Sequence, residues 1–437
     1  MTIYDVIIIG GGISGLYSAY QIKKLSPETS ILILEKNKTL GGRMDLYDFY
    51  GTNVNIGAGV GRKNKDTILI NLLNELNIKY KEYINHVKYS KYINKDIDIT
   101  KIIKLLQCKY SKKYLSYTFK QYAIHLLGEQ IYKDFVIKIG FSDFENEDVY
   151  DVLNYYGLED NIDGWIALSI DWSLLIKKIS EKIGLNNIKL ENQVESIFLD
   201  DYFTSRHALS EKTGLNNIKK SDDCSFLNIN RIFTARTLKK DYYSKKIIIA
   251  TTIETVTKLL PNLRIYDQVH GQVFLRVYAK FSTPIPDLDS YTIVTGPLKK
   301  IAPINPKEGI YMIAYTDNKD ALSLKEYTSN NSKNRQYFCK LVEKALGLEN
   351  SLNLVAIKSF YWTQGTHYFD PLKESFKNRT EFITQAQNPM KHMLVVGEMI
   401  AKHQGWTLGA LESVDSFLNL DWIHKTNLDI GLVKKKT

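Results

Sequence analysis

The chain has 437 residues, 44% hydrophobic and 24% charged, which excludes a disordered or fibrous chain and is long enough for two domains. Its formal net charge of +10 comes from scattered lysines without an interleaved aromatic motif, so no nucleic-acid surface is expected. No run approaches the roughly 20 apolar residues of a membrane span. Cys108, Cys224 and Cys339 lie far apart, match no metal spacing and, with no signal peptide, fit a reducing, cytoplasmic setting for a soluble protein.

The chain opens with "YDVIIIGGGISGLYSAYQIKK". Val6–Ile9 is a β-branched run, as in a strand buried on both faces of a parallel sheet. Gly10, Gly12 and Gly15 then give G-x-G-x-x-G: a tight turn, a backbone free to approach a pyrophosphate, and close packing of helix on strand. A helix from about Ser14 would aim its amides at the phosphates. A second strand, Ile31–Leu34, ends in Glu35, 20 residues beyond Gly15, where an acid binds a ribose hydroxyl and repels a 2′-phosphate; Lys36 adjoins it.

"KTLGGRM" follows. Gly41 and Gly42 bring backbone close to a dinucleotide, and the planar fork of Arg43 suits a pyrophosphate. In "NIGAGVGRKN", the loop through Gly57, Ala58, Gly59 and Gly61 suggests backbone packed against a flat ring. Residues 80–180 read mostly as helix, for example "TFKQYAIHLLGEQIYKDFVIKIG". "IKLENQVESIFLD" alternates as a strand should, and "SKKIIIATT" reads as another strand. "SEKIGLNNIK" at Ser180–Lys189 recurs as "SEKTGLNNIK" at Ser210–Lys219, a local duplication expected to form a surface insertion. "GQVFLRVYAKFSTPIP" predicts a strand of a second sheet. Near the end, "VVGEMIAKHQGWTLGALES" predicts strand, glycine turn with an acid, and a helix entered through Gly405. The basic "KKKT" end is expected to be a solvated tail.

The N-terminal loop, Glu35, Gly41-Gly42-Arg43 and the "GE…GWTLGA" stretch resemble the flavin-containing amine oxidase superfamily, a group that includes monoamine, polyamine and L-amino-acid oxidases. The resemblance implies an α/β fold: a Rossmann-like FAD-binding domain from discontinuous segments (1–78, 166–262 with an inserted hairpin around 200–225, and 389–425) and a substrate domain of mixed sheet and helices (79–165 and 263–388), before a basic tail (426–437). It implies that Val194 backbone contacts the adenine. It also implies that Gly397 and Glu398 hold the ribityl chain, and that Gly405, Trp406, Thr407 and Ala410 bring a helix N-terminus to the flavin N1–O2 edge. Tyr368 and Trp406 would be two walls of an aromatic cage orienting an amine. The position of the family's water-holding lysine falls on Arg276, which cannot act as a base. No cysteine lies near the site of covalent flavin attachment, where His367 precedes Tyr368, so non-covalent FAD is expected. Arg62 and Arg276 are candidates for a carboxylate clamp.

The expected activity is oxidation of an amine (polyamine, monoamine or amino acid) to an imine, with oxygen reoxidising the flavin to give hydrogen peroxide. Two other readings share the framework: a desaturase or protoporphyrinogen-oxidase-like enzyme, and a non-catalytic scaffold like the GDP-dissociation inhibitors. Nothing in the sequence specifies an oligomeric state.

Overall fold

In a computed structural model, which describes residues 2–204, 228–349 and 352–424, the first apolar run is the buried end of strand β1 (Ile3–Ile9). Val6, Ile7 and Ile8 are wholly buried because the sheet is covered on both faces. Helix α1 (Ile13–Leu25) lies on one face, and strand β2 (Ile31–Leu34) returns parallel to β1. Lys23 and Lys24 occupy the last turn of α1, where they complement its negative end.

Asp241–Ile249 runs parallel to β1 on its other side, and Met393–Val395 joins Asp241–Ile249 in parallel. Val194–Thr204 and Asn228–Thr237 extend the sheet as an antiparallel pair. With Ile188–Lys189 beside β2, these form a seven-stranded sheet among the described residues, assembled from three distant parts of the chain. The second repeat copy, most of the inserted hairpin and the basic tail lie outside the described residues.

A second sheet has six strands among the described residues. Its centre is β3 (Val269–Phe281), β4 (Lys300–Asn305) and β5 (Ile310–Asp317), with β6 (Leu354–Phe369) antiparallel to β3 at one edge. A separate helical core packs Phe119, Tyr122, Phe135 and Phe144. Arg379 ties it to the chain's last third through Asp148 and Asp151.

Three sequence expectations change. The predicted long helix around residue 128 is two, Phe119–Leu127 and Glu129–Ile139, because Gly128 takes φ +76° between them. Strands Lys81–Ile84 and Val87–Tyr89 interrupt the region expected to be mostly helical. The alternating stretch after Ile188 is also two strands; Glu191 turns left-handed, and Asn192 N–H donates to the Glu35 carbonyl, which bends the chain around the end of β2.

Candidate active site

A cavity of about 1100 Å³ is lined from both sheets. Its N-terminal wall begins where β1 turns into α1. Gly10 has φ +106°, and a Cβ there would lie 2.3 Å from the Ala250 carbonyl oxygen. A Cβ on Gly15 would stand 2.0 Å from the Gly10 carbonyl oxygen, so helix and strand touch only because both residues are glycine. Gly12 is different. Its φ of −75° suits any residue, and a Cβ would meet nothing within 4 Å. Packing therefore does not require glycine at this N-cap, which has no side-chain cap and no acid in the following turn. An open, uncapped helix N-terminus with room against its backbone fits a phosphate.

Glu35 lies at the end of β2, buried and lining the cavity. Its two carboxylate oxygens accept from the N–H of Gly11 at 2.7 Å and of Asn37 at 2.8 Å, so it also braces the glycine turn. Exposed Lys36 stands at the rim. Ser14, Gly41, Gly42, Gly57, Ala58, Gly59 and Val194 all reach the lining. The Gly57–Gly59 loop is pinned by arginines: a Cβ on Gly57 would strike the Arg43 carbonyl oxygen at 2.4 Å, and one on Gly59 would lie 2.8 Å from Arg276 Nη2.

The late glycine stretch forms the opposite wall. Gly397, Glu398, Gly405, Trp406, Thr407 and Ala410 line the cavity. Helix α2 (Thr407–Asp415) has Trp406 as N-cap, again with no side-chain cap and no acid in its first turn. Two uncapped helix N-termini thus open on one cavity.

Glu398 is buried between them. It accepts from Arg43 Nη1 at 2.8 Å, from His367 Nδ1 at 2.5 Å and from Gly405 N–H at 2.9 Å. His367 Nε2 accepts from Ile253 N–H, which assigns the ring proton to Nδ1, facing Glu398. Burial alone would raise the Glu398 pKa, but His367 and Arg43 hold it well below the usual carboxylate range. Arg43 also donates to the Gly365 carbonyl at 2.7 Å, joining the early motif to β6. His367 is not among the lining residues, and both its nitrogens are engaged.

Trp406 presents one part of its ring to the cavity, while the Arg62 guanidinium stacks 4.0 Å from its centroid. Arg62 does not line the cavity. It spends its fork on Asp66 (2.8 Å) and Asp160 (2.8 Å), so it buttresses Trp406 and is not a free carboxylate clamp.

Tyr368, expected as the second cage wall, is also not in the lining. β6 carries a bulge beside the cavity. Gln272 of β3 faces Thr366, but Phe274 faces Trp362, so Thr363, Gln364 and Gly365 together oppose Val273. Gln364 and Thr366 reach the cavity, while Tyr368, two residues farther along the strand, lies beyond it and pairs with His270, ring centroids 5.1 Å apart.

Arg276 on β3 does reach the lining and is buried. Tyr315, Tyr278, Tyr291, Trp362, Phe274 and Lys300 stand in the same lining, and sequence reading singled out none of them. Strand alternation marks such residues as inward-facing or outward-facing, but no local signal says which inward face meets the cavity.

Known proteins resemble the chain in two ways. The NAD(P)-binding Rossmann-like domain pattern matches residues 8–76. Short curated matches include an uncharacterized protein of Acanthamoeba polyphaga mimivirus (40% identity over 57 residues, 13% of this chain and 11% of that protein). Another is the FAD-containing monooxygenase EthA of Mycolicibacterium smegmatis (40% over 48 residues, 11% of this chain and 10% of that protein). The matches to these relatives therefore span about a tenth of the relatives' own length. Solved structures match over nearly the whole chain. Putrescine oxidase bound to putrescine superposes with TM-score 0.71 at 14% identity, covering 95% of this chain and 98% of that one. Cyclohexylamine oxidase from Brevibacterium oxydans gives 0.71 at 15%, covering 95% and 98%. The chain has the fold of the flavin amine oxidases.

In this amine-oxidase fold, the Asp143 carboxyl reaches the cavity from beside the helical core. Burial raises the Asp143 carboxyl to about 6; Asp317 adds to the shift, and the Tyr156 hydroxyl, donating at 2.5 Å, opposes it. The folded chain therefore holds a proton on Asp143 between about pH 4 and 6 that the unfolded chain has released. That contribution to stability falls as pH rises through this window. Asp143→Asn is expected to flatten the difference by about 1–3 kcal/mol. Thermal melts of both proteins from pH 4.5 to 7.5 check it; parallel curves would refute it.

Proposed function

We propose that this protein is an FAD-dependent oxidase of a carbon–nitrogen bond, with FAD held non-covalently. The observation that carries the proposal is the pair of uncapped helix N-termini, α1 and α2, opening on one cavity beside a buried acid at each end. A dinucleotide with a long second half fits that spacing of donors, and the glycine at position 12 has no other packing reason. On this reading residues 1–78, 166–262 and 389–425 build the FAD-binding part, and 79–165 with 263–388 build the substrate part.

Bound FAD would supply the two-electron acceptor, with oxygen as the final oxidant and hydrogen peroxide as its product. The chain's own groups do the rest. Gly12 backbone and the α1 amides bind phosphate, with Glu35 directed at a ribose. Glu398, fixed as a carboxylate, accepts from a hydroxyl of the ribityl chain while keeping Arg43 and His367 in place. The positive end of α2 favours negative charge placed against it. Trp406, held by Arg62, offers a flat apolar face that orients a neutral amine and excludes water.

The displacement of Tyr368 from the lining favours one second reading, a flavin oxidase of a larger apolar substrate without an aromatic cage. A protein from Exiguobacterium assigned as a protoporphyrinogen oxidase also shares the fold (TM-score 0.63, 13% identity, covering 95% of this chain and 98% of that one). Anaerobic titration of the purified protein with monoamines, diamines and amino acids separates the readings. Bleaching of the visible flavin spectrum by an amine is expected. A flavin that no amine bleaches would shift the assignment to the second reading, and a chain unable to retain FAD would refute both.

A further inference from the structure

Two basic side chains, Arg276 and Lys300, reach the cavity, and among the described residues neither makes an ion pair with a carboxylate. Arg276 is 5% exposed, yet among the described residues it makes no ion pair with a carboxylate. Its nearest partners are aromatic: the Tyr315 ring, with centroid 4.2 Å from Cζ, and the Tyr278 hydroxyl at 3.5 Å from Nη1. Lys300, on β4 and separated from β3 by β5, is wholly buried. Its Nζ lies against the Phe141 ring and 4.9 Å from the Tyr315 centroid, and has no hydrogen-bond partner among the described residues. Tyr315, on the strand between them, thus touches both basic side chains, and both reach one cavity.

Leaving a buried amine unpartnered is destabilising, and so is a buried guanidinium without a counter-ion. Such groups persist where a ligand supplies what the protein withholds. The acids that line the cavity do not supply it. Glu35 is spent on the Gly11 and Asn37 amides, and Glu398 on Arg43, His367 and Gly405. Asp160 pairs with Arg62 and Lys65, and Asp289 with Lys88. Asp317 and Asp143 are near enough to favour the charged form of Lys300, but Asp317 accepts from Lys299 and Ser142, and Asp143 accepts from Tyr156 while burial biases it toward its neutral form. Glu254 belongs to the other end, next to the Thr251 and Ala250 backbone that abuts Gly10. A diamine or polyamine would bring a second positive charge to Arg276 and find no free carboxylate there.

We propose that the substrate of this site is an amine that also carries a carboxylate, an amino acid, with the carboxylate seated on Arg276 and Lys300 around Tyr315. The inference rests on the amine-oxidase reading for the amine end only; the anion subsite stands on Arg276 and Lys300 by themselves. The guanidinium fork matches a carboxylate with two N–H donors, and the lysine amine offers N–H donors in either protonation state.

The test uses the full chain and benzoate, a carboxylate that cannot be oxidised as an amine, with benzylamine and putrescine as cationic probes of similar reach. Calorimetric titration is expected to show benzoate binding at least about tenfold more tightly than either cation. Arg276→Gln and Lys300→Met should each weaken benzoate at least about tenfold. Lys300→Met removes an unpartnered buried amine for a similar volume, so it should melt no lower than the wild type and remains informative if Arg276→Gln does not fold. Tighter binding of putrescine than benzoate, or unchanged benzoate affinity in folded Lys300→Met, would overturn the proposal. Flavin retention, read from the visible spectrum of the same sample, is a separate result. Benzoate bound by a chain that holds no FAD would sink the oxidase reading and leave the anion subsite standing.

Discussion

A Gly12→Val chain is expected to fold normally and to be purified without flavin. The prediction separates what the fold needs from what the ligand needs. At Gly12 the backbone is ordinary, with φ −75°, and a Cβ points into space where no protein atom lies within 4 Å. Valine there costs little: an unfavourable N-cap in place of glycine, roughly 1 kcal/mol or less. Its methyl groups, however, fill the approach to the α1 amides. Losing phosphate contact at a helix N-terminus should weaken FAD at least about 100-fold, or about 3 kcal/mol. Gly15→Ala is the contrasting control. Its Cβ would stand 2.0 Å from the Gly10 carbonyl oxygen, so α1 must move off β1, and the loss should appear as instability. Visible absorbance at equal protein concentration, with a thermal melt in added FAD, reads both effects. A Gly12→Val protein that keeps its flavin would mean that α1 is not the phosphate site.

The same contrast explains what the sequence made legible. Gly10, Gly15, Glu35 and the Gly41-Gly42-Arg43 turn are spaced by backbone geometry within one βαβ unit, so their pattern is local and readable. Gly405 through Ala410 is local too. The second cage wall, Tyr368, came from the resemblance of one stretch to a family, and a resemblance does not say how far along β6 the cavity reaches: Thr366 lines it and Tyr368, opposite His270, does not, just past the point where three residues of β6 oppose one of β3. A bulge leaves no mark in hydrophobic alternation beyond Gly365, one glycine among 25. Lys300 and Tyr315 were invisible for a different reason. They come from separate strands whose inward faces meet the cavity only through sheet order, and lysine in a Lys-rich chain reads as surface. Arg62 was legible as a residue of interest but not as a buttress, since Asp160 is 98 positions away along the chain.

Removing the Glu398 carboxylate should be the most damaging single change at the far end of the cavity. This group joins three segments that are distant in sequence: Arg43 after β2, His367 on β6, and the Gly405 turn before α2. Glu398→Ala would leave the buried His367 N–H and the Gly405 N–H without acceptors and Arg43 without its counter-charge. Breaking a buried pair costs about 3–5 kcal/mol; because the Arg43 side chain is 30% exposed, the low end, about 3 kcal/mol, is expected. Glu398→Gln keeps the shape and one acceptor oxygen, and should lose less. The acid side of the stability curve distinguishes charge from shape. Glu398 has a folded pKa below its unfolded value, so its contribution is fully present above the ordinary carboxylate range. It is lost as pH falls from that range toward the lowered folded value. Wild type should therefore lose stability relative to Glu398→Gln as pH drops below about 4.5, where unfolded glutamates take up protons. Urea melts of the three proteins between pH 3.5 and 7 would measure this. If wild type and Glu398→Gln keep a constant difference across that range, the carboxylate charge is not what holds the two cofactor loops together, and the shape of the turn alone must do so.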